Sequence, residues 1–421
     1  MSQSTIAILI FVLVMIVIIS EKVHRSVAAV GGAALLIIFG VLDVQSGASY
    51  IDYNTIGLLI GMMLLVAVVK NSGMFEYLAV KSAKIAKGDP WKMMIIFIVI
   101  TAVLSSMLDN VTTVLLVGPM TIAITAKLKI NPVPFLLTQI LASNIGGTAT
   151  LIGDPPNIMI GSAANLSFMD FIINDAPVVV IVLIATIFGF KFIYKKQLKA
   201  DPKDMAEVMA MDEKSLIKDR VLLIKSIIVI VLVIAGFMLH NVIHMESSII
   251  ALSGAVIMMV IGRQDIEKVV MDVEWSTIIF FVALFIVVGG MVETGVIDRL
   301  ADVIMGYTSG KPVMTMLIIL WVSALLSSTL DNIPFVATMI PLIQAMGADG
   351  MDIMPLWWAL SLGACLGGNG TLIGASANVV LTGISAKHGH PVTYVQFLKI
   401  GFPMMIMSVI ICTVYMVLRY A

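Results

Sequence analysis

The chain has 421 residues, of which 60% are hydrophobic and only 12% are charged, with a formal net charge of −1. Soluble domains are ordinarily about 45–50% apolar and about 25% charged. This composition excludes an ordinary soluble protein, and the near-neutral charge predicts no nucleic-acid partner. We therefore expect a helical protein that crosses the lipid bilayer several times.

Apolar segments fall into two series that flank one polar segment. In chain order the first series lies at about 4–20, 26–42, 54–70, 91–127, 133–167 and 176–194. A lysine-rich segment, 195–220, follows. The second series lies at about 221–240, 245–262, 275–292, 312–347, 355–386 and 394–417. These boundaries predict two halves, 1–194 and 221–421, joined by a linker at 195–220.

The two halves are related by an internal duplication. Leu108-Asp109-Asn110 recurs 222 residues later as Leu330-Asp331-Asn332, and each copy follows a serine pair that ends at Ser106 or Ser328. Recurrence of whole motifs at a fixed spacing is the signature of a repeat. Each half is predicted to cross the membrane five times, and an odd number inverts the second half relative to the first.

Two kinds of segment in each half are not simple spans. Segments 91–127 and 312–347 are too long for one crossing and carry Asp-Asn in the middle, which predicts re-entrant helical hairpins with Asp-Asn at their tips. Segments 133–167 and 355–386 contain paired glycines, and the first also contains Pro155-Pro156, so each is predicted to be a helix broken near the midplane. The predicted fold is all-α, with ten transmembrane helices, two re-entrant hairpins and two inverted repeats.

The distribution of lysine and arginine predicts the orientation. If the linker is cytoplasmic, the N- and C-termini lie outside, and all but three of the 25 basic residues fall on the cytoplasmic side. The opposite orientation reverses that ratio and conflicts with the positive-inside rule. We therefore expect a multi-pass protein of the cell membrane with its linker in the cytoplasm.

The repeated motifs supply the candidate site. Ionisable residues at membrane depth are costly, so two at matching positions indicate function. We assign ion binding to Asp109, Asn110, Asp331 and Asn332, where Na⁺ is a possible ligand, and include Ser106 and Ser328. Broken helices in inverted repeats direct their ends toward a midplane site. Substrate contacts are therefore predicted for Thr112, Asn144, Thr148, Thr150, Asp154, Asn157, Asn369, Thr371, Ser376 and Asn378. The alternative for the small polar residues is that they only allow close helix packing.

Asp154 differs from the rest because its repeat counterpart is Ala375. This asymmetry indicates either a specialised role, such as proton acceptance or substrate contact, or a helix cap beside Pro155-Pro156. No lysine or arginine lies in a predicted midplane element. We therefore expect Na⁺ or H⁺ to take part in the transport cycle, and an anionic substrate to rely on helix N-termini and a bound cation.

The motifs resemble those of the ArsB/NhaD permease group of the ion transporter superfamily. The resemblance rests on the run from Leu108 to Thr113 and on Gly153-Asp154-Pro155-Pro156-Asn157, and the second half is most similar to the P-protein (pink-eyed dilution) branch. It implies a homodimeric elevator-type carrier with a fixed scaffold. The mobile domain of such a carrier would hold the two hairpins and the two broken helices.

The predicted function is secondary active transport of a small ion or anion, coupled to Na⁺ or H⁺. The open alternatives are a Na⁺/H⁺ antiporter, an arsenite or organic-anion (citrate or dicarboxylate) permease and, less favoured, an ion channel. We expect no enzymatic activity, because the sequence contains no nucleophile–base pair or metal-ligand spacing. No cofactor is expected apart from the coupling ion, and the expected partners are the lipid bilayer and a second copy of the chain.

Overall fold

The computed structural model describes residues 2–20, 22–196, 198–308 and 311–420, which form helices and loops without any strand. Six residues of the predicted ranges lie outside the described residues: Met1, Glu21, Gln197, Ser309, Gly310 and Ala421. The first half contains eleven helices over these residues: α1 Gln3–Ile19, α2 Arg25–Ile38, α3 Val44–Ser49, α4 Tyr53–Lys70, α5 Met74–Ile85, α6 Pro90–Met107, α7 Asn110–Lys127, α8 Val133–Thr148, α9 Pro155–Ala164, α10 Phe168–Asn174 and α11 Ala176–Tyr194.

The linker holds one helix, α12 Pro202–Met209, and a short 3-10 turn at Lys214–Leu216. Ten helices follow in the described part of the second half: α13 Arg220–Ile243, α14 Ser247–Gly262, α15 Ile266–Met271, α16 Trp275–Glu293, α17 Val296–Thr308, α18 Pro312–Ser327, α19 Asn332–Ala348, α20 Met354–Gly367, α21 Ser376–Lys387 and α22 Tyr394–Tyr420.

The helices of the second half repeat those of the first. Helix α2 begins at Arg25 and α14 at Ser247, 222 residues later, and the same offset relates the starts of α3–α7 to those of α15–α19. Packing repeats as well: α6 packs on α8 as α18 packs on α20. The halves also interlock, because α4 packs on α14 and α2 on α16. Each half therefore completes its packing against the other.

Within each predicted hairpin the chain breaks at the Asp-Asn motif. Asp109 caps the N-terminus of α7 by accepting a hydrogen bond from the Thr112 backbone N–H at 2.8 Å. Asp331 caps α19 in the same way through the Ile333 N–H at 3.1 Å. A carboxylate at an N-cap satisfies a backbone donor that the helix leaves free. These acids therefore begin the second arm of each hairpin.

The broken helices α8–α9 and α20–α21 pack tightly against the first arm of each hairpin. A Cβ atom on Gly146 would lie 2.1 Å from the Ala102 carbonyl oxygen, and one on Gly367 would lie 2.6 Å from that of Ala324. Any larger residue would force the helices apart. The glycines that precede each break are thus needed for close packing of α6 on α8 and of α18 on α20.

Seven described helices are long and apolar enough to cross a membrane, or eight if the bent pair α17–α18 counts as one span. The seven include both α6 and α7, each of 18 residues and so about 27 Å long. That length approaches the roughly 30 Å of a hydrocarbon core. Helix length by itself therefore does not distinguish hairpin arms from full crossings, and the ten-helix count stays a prediction.

The linker is held against the first half by ion pairs. Lys129 Nζ lies 2.7 Å from Asp204 Oδ1 of α12, and Lys84 Nζ lies 2.6 Å from Glu213 Oε2. The Lys84 ammonium lowers the pKa of Glu213 from its usual value. The polar segment is thus attached to α5 and to the end of α7.

Candidate functional site

The acid at the second hairpin tip is paired with a basic residue. Arg25 Nη1, at the start of α2, lies 2.8 Å from Asp331 Oδ2 and donates to Ser376 Oγ at 2.5 Å. Arg25 Nη2 donates to Thr277 Oγ1 at 3.2 Å, and the guanidinium lies 5.0 Å from the centre of the Phe280 ring. The sequence places no lysine or arginine in a midplane element, yet Asp331 has a basic partner, which comes from the start of α2.

The acid at the first tip has different partners. Asp109 accepts hydrogen bonds from both the backbone N–H and the hydroxyl of Thr112, and among the described residues it forms no ion pair. Thr112 therefore holds the carboxylate of Asp109 at the hairpin tip. The two tips, equivalent in sequence, are inequivalent in charge: Asp331 is neutralised by Arg25 and Asp109 is not.

Two cavities meet at Arg25 and Ser376, which line both. One is a cleft of about 410 Å³ that Asp331 also lines, together with the end of α1 and part of α21. The other is a small cavity of about 20 Å³, lined by Asp109, Asp154 and Glu274. A cavity of this size holds about one water molecule. The ion pair of Arg25 with Asp331 thus lies in the wall between the cleft and a small acidic cavity.

Neither tip asparagine bonds to its neighbouring aspartate, and of the two only Asn332 bonds to the other half. Asn110 donates to Asn144 Oδ1 at 3.1 Å. Asn332 contacts both oxygens of Asp154, at 3.3 and 3.4 Å. Asp154 occupies the N-cap position of α9, as the helix-cap alternative expects, but its side chain makes no capping hydrogen bond. Its carboxylate is instead buried, 1% exposed, and accepts from the hairpin tip of the other half.

The predicted serines and threonines mostly join backbone segments. Thr150 donates to the Ser106 carbonyl and Thr371 to the Ser328 carbonyl, so each broken helix is tied to its own hairpin in the same way. The hydroxyls of Ser106 and Ser328 donate within their own helices. Thr148 likewise donates to the carbonyl of residue 144. For this group the observed contacts are those of packing.

Two asparagines stabilise the helix breaks. Asn157 Nδ2 donates to the carbonyls of residues 148 and 150, at 3.1 and 3.0 Å, and Asn378 Nδ2 donates to those of residues 368 and 371, at 2.7 and 2.9 Å. Asn144 connects the halves by donating to Asn369 at 2.9 Å and to Asn378 at 3.0 Å. All of these amides are buried. Their Nδ2 groups donate to oxygen atoms of the protein itself.

Of the predicted residues, the small cavity brings together Asp109, Asn110, Asp154, Asn332 and Ser376. Sequence reasoning missed Arg25, Glu274 and Thr277, which line the same cavity. A signal was available for Arg25: its repeat counterpart is Ser247. This is the same kind of asymmetry that drew attention to Asp154. The described residues contain no group of three or more His, Cys, Asp or Glu arranged to hold a metal ion.

Comparison with known proteins assigns the chain to a family. Residues 15–363 match the family model CitMHS, described as citrate transporter. The chain belongs to the citrate transporter family. It is 43% identical to an uncharacterised transporter of Mycobacterium bovis over 99% of both chains. It is also 34% identical to the human P protein over 99% of this chain but only 59% of that protein.

The resemblance to P protein is therefore confirmed, whereas membership of the ArsB/NhaD group stays a prediction. Among solved structures the chain is similar to the YdaH transporter of Alcanivorax borkumensis, with a TM-score of 0.60 over 98% of this chain and 97% of that one. The sequence identity is 12%, so this likeness shows the fold alone. The chain is a multi-pass membrane transporter of this family.

Proposed function

We propose that this member of the citrate transporter family is a secondary active transporter that carries a carboxylate anion together with H⁺ or Na⁺. In this proposal Arg25 binds the anion, and Asp331 occupies Arg25 when the anion is absent. The observation that carries it is the 2.8 Å ion pair between Arg25 and Asp331 at the wall shared by the two cavities.

The chemistry of Arg25 supports an anionic cargo. A guanidinium presents planar, paired donors that match a carboxylate, and it stays charged at any relevant pH. Here one edge of the group is occupied by Asp331 and Ser376. A cargo carboxylate must therefore displace Asp331, which then requires a proton or a cation of its own. That requirement couples anion binding to H⁺ or Na⁺.

The neighbouring acids strengthen the requirement for a cation. Among the described residues, Asp109, Asp154 and Glu274 line the small cavity, and Arg25 is the only basic residue in its lining. An anion that entered with these carboxylates ionised would meet like charge in a region of low dielectric. Binding H⁺ or Na⁺ at the hairpin tips removes that repulsion. The name of the matching family, citrate transporter, agrees with an organic carboxylate as the cargo.

A second candidate is a Na⁺/H⁺ antiporter without an organic cargo. It is favoured by Asp109, whose partners in the described structure are the backbone and hydroxyl of Thr112 and no cation. Such a carboxylate can exchange H⁺ for Na⁺. In this alternative Arg25 would only hold Asp331 in place.

Flux measurements on purified protein in lipid vesicles separate these functions. We expect uptake of labelled citrate that requires an inward H⁺ or Na⁺ gradient and is lost in Arg25→Met. The control is Lys22→Met, which changes an exposed basic residue in the loop that precedes α2. Na⁺-evoked alkalinisation of the vesicle lumen without citrate, unchanged in Arg25→Met, would overturn the proposal in favour of the antiporter. Conductance that does not saturate would instead indicate a channel.

The mode of operation is part of the proposal. A homodimer with an elevator movement would carry the hairpins α6–α7 and α18–α19 and the broken helices as one body past α4, α14 and their neighbours. The linker would face the cytoplasm, with both termini outside. Native mass measurement tests the dimer. Disulfide trapping between α4 and α9, which pack together, tests the movement. A disulfide should block transport if the body moves past α4, and transport that continues in the trapped protein would contradict the movement.

A further inference from the structure

A second buried acid lies outside the tip cavity. Asp175 stands between α10 and α11 and is 0% exposed. Its Oδ2 lies 2.5 Å from the Ser361 hydroxyl of α20, and its Oδ1 is buried without a hydrogen-bond partner. An ionised carboxylate with a free buried oxygen is costly to place in a protein interior. The hydrogen-bond partners of Asp175 determine its protonation state.

The Ser361 hydroxyl is shared between two acceptors. It lies 2.5 Å from Asp175 Oδ2 and 2.7 Å from Asn157 Oδ1. The orientation of the Asn157 amide is fixed, because its Nδ2 faces backbone carbonyls at 3.0, 3.1 and 3.4 Å. Reversing the amide would bring its oxygen against those carbonyl oxygens. The Asn157 oxygen that faces Ser361 can therefore only accept.

Two close oxygen–oxygen contacts need two protons, and a serine hydroxyl supplies one. Ser361 donates its proton to Asn157, whose oxygen also accepts from the Cys365 thiol at 3.4 Å. The second proton, between Ser361 and Asp175, must then come from the acid. A neutral carboxyl also leaves a carbonyl-type Oδ1, for which the missing partner costs less than for a charged oxygen.

The titratable groups that face Asp175 do not remove this requirement. Arg419, Tyr415, Tyr420 and Cys412 of α22 and Cys365 of α20 interact with it. The Arg419 guanidinium donates to the carbonyl of residue 173 and to the Tyr415 hydroxyl, and Tyr415 in turn donates to the carbonyl of residue 174. In the described structure Arg419 thus bonds the backbone beside Asp175 and not its carboxylate.

We infer that Asp175 is a proton-binding site, occupied in this structure, whose proton holds Ser361 in place to bond Asn157 at the break between α8 and α9. Loss of the proton draws the Ser361 hydrogen to Asp175 and removes a donor from Asn157. The Asn157 amide donates to the backbone carbonyls of the helix break that precedes Asp154. Asp175 therefore acts as a positioning residue for Asp154. This proton site is independent of the pair of Arg25 with Asp331.

Infrared difference spectra of the reconstituted protein test the proton directly. Wild type minus Asp175→Asn should show one protonated-carboxyl C=O band that shifts in D₂O, and Ser361→Ala should move that band because its hydrogen-bond partner is lost. The control, Asp349→Asn, changes an exposed acid and should show no such band. Absence of the band from wild type minus Asp175→Asn, or a band unmoved in Ser361→Ala, would overturn the inference. If Asp175→Asn is not recovered folded, Ser361→Ala alone decides.

The positioning role has its own readout in the buried thiol of Cys365. In a Cys412→Ala background, alkylation of Cys365 by N-ethylmaleimide at fixed pH should be as slow in Asp175→Asn as in the parent, because an amide keeps the donor to Ser361. Asp175→Leu, which lacks a donor, should raise the rate severalfold. Equal rates in the amide and leucine variants contradict positioning. Failure of citrate transport in the parent would bear on the proposed function and not on these two measurements.

Discussion

The pair of Arg25 with Asp331 should contribute measurably to stability as well as to transport. Arg25→Met keeps most of the apolar stem but removes the ion pair, the bonds to Ser376 and Thr277, and the contact with the Phe280 ring. Removing one partner of a fully buried pair costs about 3–5 kcal/mol. The two side chains are 23% and 14% exposed, so we expect a loss of about 2–4 kcal/mol in the free energy of unfolding.

A double-mutant cycle separates the pair from its surroundings. Unfolding free energies in mixed micelles should be measured for Arg25→Met, Asp331→Asn and the double variant. Because each single change leaves a partner without its opposite charge, the double variant should lose about 2 kcal/mol less than the sum of the two. Lys22→Met should change stability by no more than about 0.5 kcal/mol. Strictly additive losses would refute the reasoning that the two side chains stabilise each other.

Three further predictions concern packing, the linker and topology. Gly61→Ala should destabilise the protein, because the added Cβ would lie 2.6 Å from the backbone of α14. Gly31→Ala, whose Cβ would have no atom within 4 Å, should not, and the thermal unfolding temperatures of both variants test this. Since Lys84 lowers the pKa of Glu213, linker docking should persist at neutral pH and weaken as pH falls through that lowered pKa. At neutral pH, limited proteolysis should cut the Lys84→Met linker faster than the wild-type linker, although the pair of Lys129 with Asp204 remains. Equal cleavage rates would contradict the assignment. Cysteines introduced at 200–215 should react with an impermeant reagent only from the cytoplasmic side, and labelling from outside would reverse the orientation.

Much of the architecture was predictable because it depends on local chemistry. Helix formation in apolar runs, and breaks where glycine and proline accumulate, follow from backbone energetics. The duplication pointed to Asp109 and Asp331, and the structure places these acids at the breaks of the two hairpins. That they are also N-caps was not predicted, although Asp before a helix is a common cap.

What the sequence could not supply were contacts between distant segments. In the sequence Arg25 contributes only to the charge distribution that predicts orientation, yet it pairs with an acid 306 residues away. Asp154 was compatible with a local cap, but its carboxylate turns toward Asn332 of the other half. Nothing in the sequence distinguishes Asp175, because its partner Ser361 lies 186 residues away. Such pairs depend on how the halves interlock, which the spacing of motifs does not encode.

The direct test of the account is citrate binding by calorimetry to wild type, Asp331→Asn and Arg25→Met, with and without Na⁺ and across pH. Wild type should bind only when Na⁺ is present or the pH is low, because Asp331 otherwise occupies Arg25. Asp331→Asn should bind with a weaker dependence on Na⁺ and low pH than wild type, and Arg25→Met should not bind at all. Binding by Arg25→Met equal to that of wild type would contradict the account.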